Sequence, residues 1–327
     1  MWKILGTLNR NLVIAIPIMM LAGFVFGLLV DSAFLKNLII PFTFLMVYPM
    51  MVTLKVKKVL EGGDGKAQII AQLINFAIIP FAAFALGRIF FPHSPFLALG
   101  LLLAALVPTS GMTISWTGFA GGNLAAAVKM TVVGLILGSL ATPLYVQALM
   151  GAQVDIDLLG IFKQIILIVF LPMLAGFCTQ QILVKKHGQK TFQENLAPRF
   201  PAMSTIGVLG IVFIALALKA RGIAAAPEML LKILVPLLIL YLLNYLLSTM
   251  IGRTLLPRGD AIALVYGTVM RNLSIALAVA INAFGTAGSD AALVIALAYI
   301  VQVKSAAWYV KLTDRVFGSP LASDTTT

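Results

Sequence analysis

The stretch that most limits what this chain can fold into is Ala261–Gly285, AIALVYGTVMRNLSIALAVAINAFG, with Arg271 near its middle. About 20 apolar residues span a bilayer as a helix. A charge at the centre of such a span costs roughly 2.5–3.5 kcal/mol or more, and it faces protein or a polar cavity rather than lipid. Thr268, Asn272 and Ser274 flank the arginine and all form hydrogen bonds. The pattern predicts a helix interrupted near Arg271, with a solute path built around the interruption.

The remainder of the chain fits that setting. Of its 327 residues, 61% are hydrophobic and only 10% charged, against about 25% charged in a soluble domain. Hydropathy predicts ten spans: Leu12–Val30, Leu35–Leu54, Ala67–Phe91, Phe96–Phe119, Leu124–Leu149, Leu158–Leu183, Ala202–Leu218, Met229–Ile251, Ala261–Gly285 and Asp290–Leu312. Backbone groups cannot go unpaired in lipid, so these are expected to be helices, giving an all-α polytopic membrane protein of one domain over 1–327. The N-terminus carries basic residues before an apolar run, but no small-residue cleavage site follows, so it is read as the first span. The longest connection runs from about Val184 to Pro201, too short for a soluble output domain.

The net charge of +12 belongs to loops facing the cytoplasm rather than to a nucleic-acid surface. With the N-terminus inside, the cytoplasmic segments hold 14 cations: Lys3, Arg10, Lys55, Lys57, Lys58, Lys66, Lys185, Lys186, Lys190, Arg199, Arg253, Arg258, Lys311 and Arg315. The other side holds five: Lys36, Arg88, Lys219, Arg221 and Lys232; it also holds Asp155 and Asp157. Both termini are therefore expected in the cytoplasm, in a bacterial or archaeal plasma membrane. Four cations fall inside predicted spans: Lys129, Lys163, Arg271 and Lys304. Lys163 and Lys304 read as snorkelling or structural; for Lys129, snorkelling and a buried function stay open.

A faint internal repeat is visible. Asn75 and Asn244 sit at the same point of two apolar helices, 169 residues apart. Span four is interrupted by Pro108-Thr109-Ser110-Gly111 and span nine by the polar run at Arg271. These are the fourth spans of two five-helix halves, about 10–150 and 157–313. An odd number of spans inverts the second half, and paired broken helices in inverted repeats point to a transport site near the midplane.

Thr109, Thr113 and Thr117 recur at i, i+4 and i+8, the spacing of one helix face. Pro108 removes a backbone donor, which frees carbonyls and amides for a ligand. A guanidinium offers a planar fork that suits a carboxylate or oxyanion. The candidate substrate residues are therefore Thr109, Ser110, Thr113, Arg271, Asn272 and Ser274. Asn75 and Asn244 either line the cavity or join helices. No Asp or Glu lies inside a span, apart from Asp290 at the start of the last, so the usual acidic coupling group is missing. The single Cys178 excludes an internal disulfide and a cysteine-built metal cluster. His93 and His187 lie in separate loops. No cofactor is expected, and no nucleophile–base or metal set within the spans suggests an enzyme. The expected partners are a small anionic solute and membrane lipid, with a homo-oligomer left open and no nucleic acid.

At these residues the chain resembles the bile acid/sodium symporter superfamily, and within it the arsenical-resistance permease branch. The motifs are Val47-Tyr48-Pro49-Met50-Met51, Asn75 through Pro80, Pro108 through Trp116 followed by Gly121-Gly122-Asn123, and Met270-Arg271-Asn272 through Ala280. The resemblance implies ten helices in a five-plus-five inverted repeat. It also implies panel and core bundles, and alternating access around crossed helices four and nine.

The departures narrow the expectation. The sodium ligands of the bile-acid branch fall here on Thr113, Ile114, Ala127, Thr131 and Gly267, and two of its glutamines fall on Arg271 and Asn75. Both sodium sites look dismantled. Lys129 and Arg271, with Thr131 and Asn75 beside them, then read as tethered cations standing in for sodium. The characteristic Cys and Glu of the arsenite branch fall on Thr109 and Ser274. The resulting expectation is a sodium-independent secondary transporter of a small anion, either an organic anion or an arsenic-type oxyanion. The alternatives are proton-driven arsenite efflux and a sodium-coupled organic anion symporter.

Overall fold

A computed structural model describes residues 11–54, 64–154, 157–225, 227–285 and 287–318. Lys3, Arg10, Lys55, Lys57, Lys58 and Asp155, used above to orient the chain, lie outside these residues. Every element among the described residues is helical, and the one strand-like feature is an isolated antiparallel bridge between Pro108 and Arg271.

Seven helices are long and apolar enough to cross a bilayer: α2 (Ala33–Val52), α3 (Gly65–Phe90), α6 (Leu124–Met150), α7 (Leu158–His187), α8 (Gln189–Ala225), α9 (Glu228–Leu255) and α12 (Gly288–Val310). The other three expected spans fall on shorter pieces. One is α1 (Leu12–Leu29). The second divides into α4 (Pro95–Leu106) and α5 (Gly111–Phe119), and the third into α10 (Arg258–Val269) and α11 (Leu273–Phe284). The chain ends its described part in the short α13 (Thr313–Phe317).

The helices pack as two bundles. In one, α8 lies against α1 and α2, and α2 against α7. Gly23 and Gly27, one turn apart, bring α1 onto the backbone of α8 at Phe213 and Ala217, the close approach that small residues permit in membrane helices. In the other bundle α12 packs on α4 and α11, α9 on α10, and α5 on α6 and α10. The bundles meet along a seam where α8 faces α12 and α2 faces α11.

Outward faces stay apolar. Leu238, Leu242 and Leu246 recur at i, i+4 and i+8 on α9 and are all at least half exposed. Such a stripe suits lipid. The broken helices are the opposite case: every residue from Ala261 to Ile281 is buried. This arrangement holds the two chain breaks at the centre of the second bundle.

One irregularity sits beside them. Helix α3 widens to a π turn at Ile74–Ile78, around Asn75. Pro80 follows and has no N–H to return to the Phe76 carbonyl. The Tyr145 hydroxyl of α6 donates to that carbonyl instead, at 2.6 Å. A side chain from a neighbouring helix thus satisfies the freed backbone group, as burial requires.

Candidate substrate site at the helix crossing

The two interruptions cross each other. The Asn272 amide donates to the Val107 carbonyl at 2.8 Å, beside the Pro108–Arg271 bridge. Thr109 has φ of 64°, left-handed for a residue with a Cβ, which costs roughly 1–2 kcal/mol. Its hydroxyl lies 2.6 Å from the Pro108 carbonyl and 3.1 Å from the Thr131 carbonyl of α6, and these contacts hold the turn.

Each break ends in a capped helix start. Ser110 caps α5: its hydroxyl accepts from the Met112 amide, and Thr113 accepts from the Ser110 amide. Asn272 caps α11 by accepting from the Ile275 amide at 3.3 Å. Helix N-termini carry partial positive charge, so two of them converge on the crossing.

Arg271 lies between them and is 3% exposed. Gln302 of α12 grips its backbone twice: the side-chain oxygen accepts from the Arg271 amide at 2.8 Å, and the side-chain nitrogen donates to the Arg271 carbonyl at 3.2 Å. Tyr241 donates to the same Gln302 oxygen at 3.0 Å. The peptide is fully held, but the two terminal nitrogens of the guanidinium have no hydrogen-bond partner among the described residues. A buried donor left unmade is costly, and more so when charged.

Those nitrogens belong to a residue that lines a cavity of about 180 Å³ on the seam between the bundles. Ser110, Gly111, Asn272, Ser274 and Tyr299 line it from one bundle; Met50, Ser204 and Val208 from the other. A smaller void of about 60 Å³ adjoins it and reaches Thr131. Gly111 is exposed to this space, and a Cβ built on it would meet nothing within 4 Å.

The expected site residues separate into groups. Ser110, Arg271, Asn272 and Ser274 come together at the main cavity, where Ser274 is hydrogen-bonded to Tyr299. Thr109 and Thr113 lie outside its lining and act in the turn and the cap. The i, i+4, i+8 spacing presumes an unbroken helix, and the chain breaks at Thr109, so only Thr113 and Thr117 share a helical face. Asn75 donates to the Gly267 carbonyl at 3.0 Å and Asn244 to the Thr268 carbonyl at 2.8 Å. Both therefore secure the last turn of α10.

Lys129, for which the sequence leaves snorkelling and burial both open, is buried and paired. It is 5% exposed, so it does not snorkel. It is not a free cation either, because Asp64, just before α3, pairs with it at 2.5 Å with both side chains 6% exposed. Thr131 beside it is also engaged, donating to the Ala127 carbonyl at 2.7 Å. Next to Gly267, where the resemblance places an acidic sodium ligand, the Met130 sulfur fills the space a side chain would need.

Asp64, Gln302 and Tyr299 were not singled out from sequence. Gln302 had a signal, as an amide inside an apolar span. Asp64 had none, since it lies in a Gly-Gly-Asp-Gly connection ahead of the span.

The sequence profile of the sodium bile acid symporter family matches residues 40–226, more than half of the chain. Arsenical-resistance protein Acr3 of Alkaliphilus metalliredigens is 26% identical over 285 residues, covering 83% of this chain and 79% of that protein. Acr3 of Corynebacterium glutamicum is 20% identical, covering 75% and 70%. A chloroplastic protein of Arabidopsis thaliana, described as probable sodium/metabolite cotransporter BASS1, is 27% identical over 42% of this chain and 33% of its own length. The family and the Arabidopsis relative are named for symport and cotransport, not for an enzyme activity. With its apolar helices, crossed breaks and buried cation, the chain is an integral membrane protein that belongs to the sodium bile acid symporter family.

Proposed function

We propose that this protein is a secondary transporter of a small anion, bound at the crossing of the two broken helices by Arg271 and the starts of α5 and α11. The observation that carries this is the buried guanidinium whose terminal nitrogens have no hydrogen-bond partner among the described residues. A planar fork of donors beside two helix N-termini is matched by a carboxylate or an oxyanion. Size supports a small solute. A cavity of about 180 Å³ is below the roughly 300–1,000 Å³ typical of drug-sized ligands.

The ten-span, five-plus-five inverted arrangement is part of the proposal, with both termini in the cytoplasm. In that orientation the cavity lies toward the cytoplasmic ends of α2 and α8, and rocking of one bundle against the other exposes it to the opposite side. Transport is sodium-independent in this account, with Arg271 alone as the tethered cation. The engagement of Lys129 by Asp64 and the packing of Met130 against Gly267 both support that revision.

The names of the Acr3 relatives favour an arsenic solute as a second reading. Neutral arsenite seeks thiols, and Cys178 is exposed on α7, outside the cavity lining. Among arsenic species the charged oxyanion suits Arg271 better.

Thermal unfolding of the purified protein with arsenite, arsenate, phosphate and small carboxylates, each in sodium and in choline, tests the proposal. One anion is expected to stabilise equally in both salts, since a ligand of the folded state raises stability by mass action. Arg271→Gln is expected to remove that effect. Stabilisation confined to sodium, or retained in Arg271→Gln, would overturn it.

A further inference from the structure

A second cavity, of about 320 Å³, lies at the opposite end of the same seam. Lys36 of α2, Lys219 and Arg221 of α8, and Ser289 of α12 line it, with Asp31. On α8 it begins about nine residues beyond the central cavity, from Val208 to Ala217, or roughly 14 Å at 1.5 Å per residue. Between them α8 is closed by Ile211, Val212 and Ala215, all fully buried.

Three features make this more than a charged surface. First, it is concave and continuous with the seam that holds the central site. Second, of the five cations expected on this side of the membrane, three gather here, against the charge bias that otherwise places cations at the other end. Third, an ion pair spans the seam at this point: Lys219 of α8 binds Asp290 of α12 at 2.8 Å, with side chains about a quarter to a third exposed. The Asp31 carboxylate is occupied in accepting from the Ala33 amide at 3.1 Å. Lys36 and Arg221 have no acidic partner among the described residues.

We propose that this cavity is a second anion site, formed by Lys36, Lys219 and Arg221, in which an arriving oxyanion or carboxylate replaces Asp290 on Lys219 and so releases the far end of the seam. The inference rests on the proposed anion transport, and it gives that transport a gate. While Lys219 holds Asp290, the two bundles are tied together at the end away from the open central cavity. An anion binding the three cations competes for Lys219, so the solute itself loosens the tie. With three cations against Asp31 in its lining, the cleft also concentrates anions before they enter.

The test places a thiol at Ala33, an exposed residue lining the cavity, as Ala33→Cys with Cys178→Ser in the full-length chain in lipid nanodiscs. Modification rates are compared for an anionic and a cationic methanethiosulfonate reagent at low salt. The anionic reagent is expected to react on the order of tenfold faster, and millimolar inorganic phosphate to slow it. Lys36→Gln with Arg221→Gln should equalise the two reagents. Asp290→Asn should lower the phosphate concentration needed for protection, because Lys219 loses its competitor. Phosphate protection should persist in Arg271→Gln, which separates this site from the central one. Equal reagent rates with the cations intact, no protection by phosphate, protection lost with Arg271→Gln, or no effect of Asp290→Asn would each overturn the proposal.

Discussion

Two cations are buried among the described residues, Lys129 and Arg271, and they are held in different ways. Lys129 sits near the start of an apolar helix and has an acid, Asp64, at 2.5 Å. Arg271 sits in a helix break, with its peptide gripped by Gln302 and its guanidinium ends bare. The first is a closed pair that ties α6 to the start of α3. The second is an open valence facing a cavity. Burial and charge alone do not mark a binding group; the lack of a built-in partner does.

The largest effect should come from breaking the closed pair. Asp64→Ala leaves Lys129 buried without a counter-charge, which costs about 3–5 kcal/mol. Denaturant or thermal unfolding in detergent would show it, and Asp64→Asn with Lys129→Gln should recover much of the loss. Arg271→Gln should behave in the opposite way, leaving the ligand-free protein at least as stable as wild type, within about 1 kcal/mol. A large loss from Arg271→Gln would mean that the arginine, too, is structural.

Next in size is the ligand effect. At a concentration one hundred times its Kd, the cognate anion should add about 2.7 kcal/mol to the wild type and nothing to Arg271→Gln. Gln302→Leu should follow, with about 2 kcal/mol lost because two hydrogen bonds to the Arg271 peptide disappear. It should also weaken anion binding, which direct titration would measure; unchanged affinity would show that the grip does not aim the guanidinium. Gly111→Ala should be the mildest. Its methyl enters open space, so stability should change by less than about 1 kcal/mol, while uptake shows a raised KM.

Much of this was legible in the sequence, for physical reasons that also set the limits. An arginine in an apolar run and a proline followed by Thr-Ser-Gly both announce broken helices, because lipid penalises charge and proline removes a donor. The partner of Lys129 was not legible. Asp64 is 65 residues away in sequence and outside any span, and hydropathy says nothing about which loop folds back to cap a buried amine. The threonine face failed differently, because helical periodicity was carried through a residue with a left-handed backbone. Gln302 shows the intermediate case: its polarity was visible, but which backbone it would grip depends on how α12 crosses the break.

The stitching of the two breaks has a consequence for the shape of the transport cycle. Asn272 is bonded to Val107 across the crossing, and Gln302 fastens the Arg271 peptide to α12. None of these bonds spans the seam to the other bundle. If the bundles move as proposed, the grip on the solute therefore need not be released and remade. In the proposed alternating-access cycle the cargo would ride in a preassembled cradle, and the work would fall on the surfaces of α2 and α8 along the seam rather than on the contacts that recognise it.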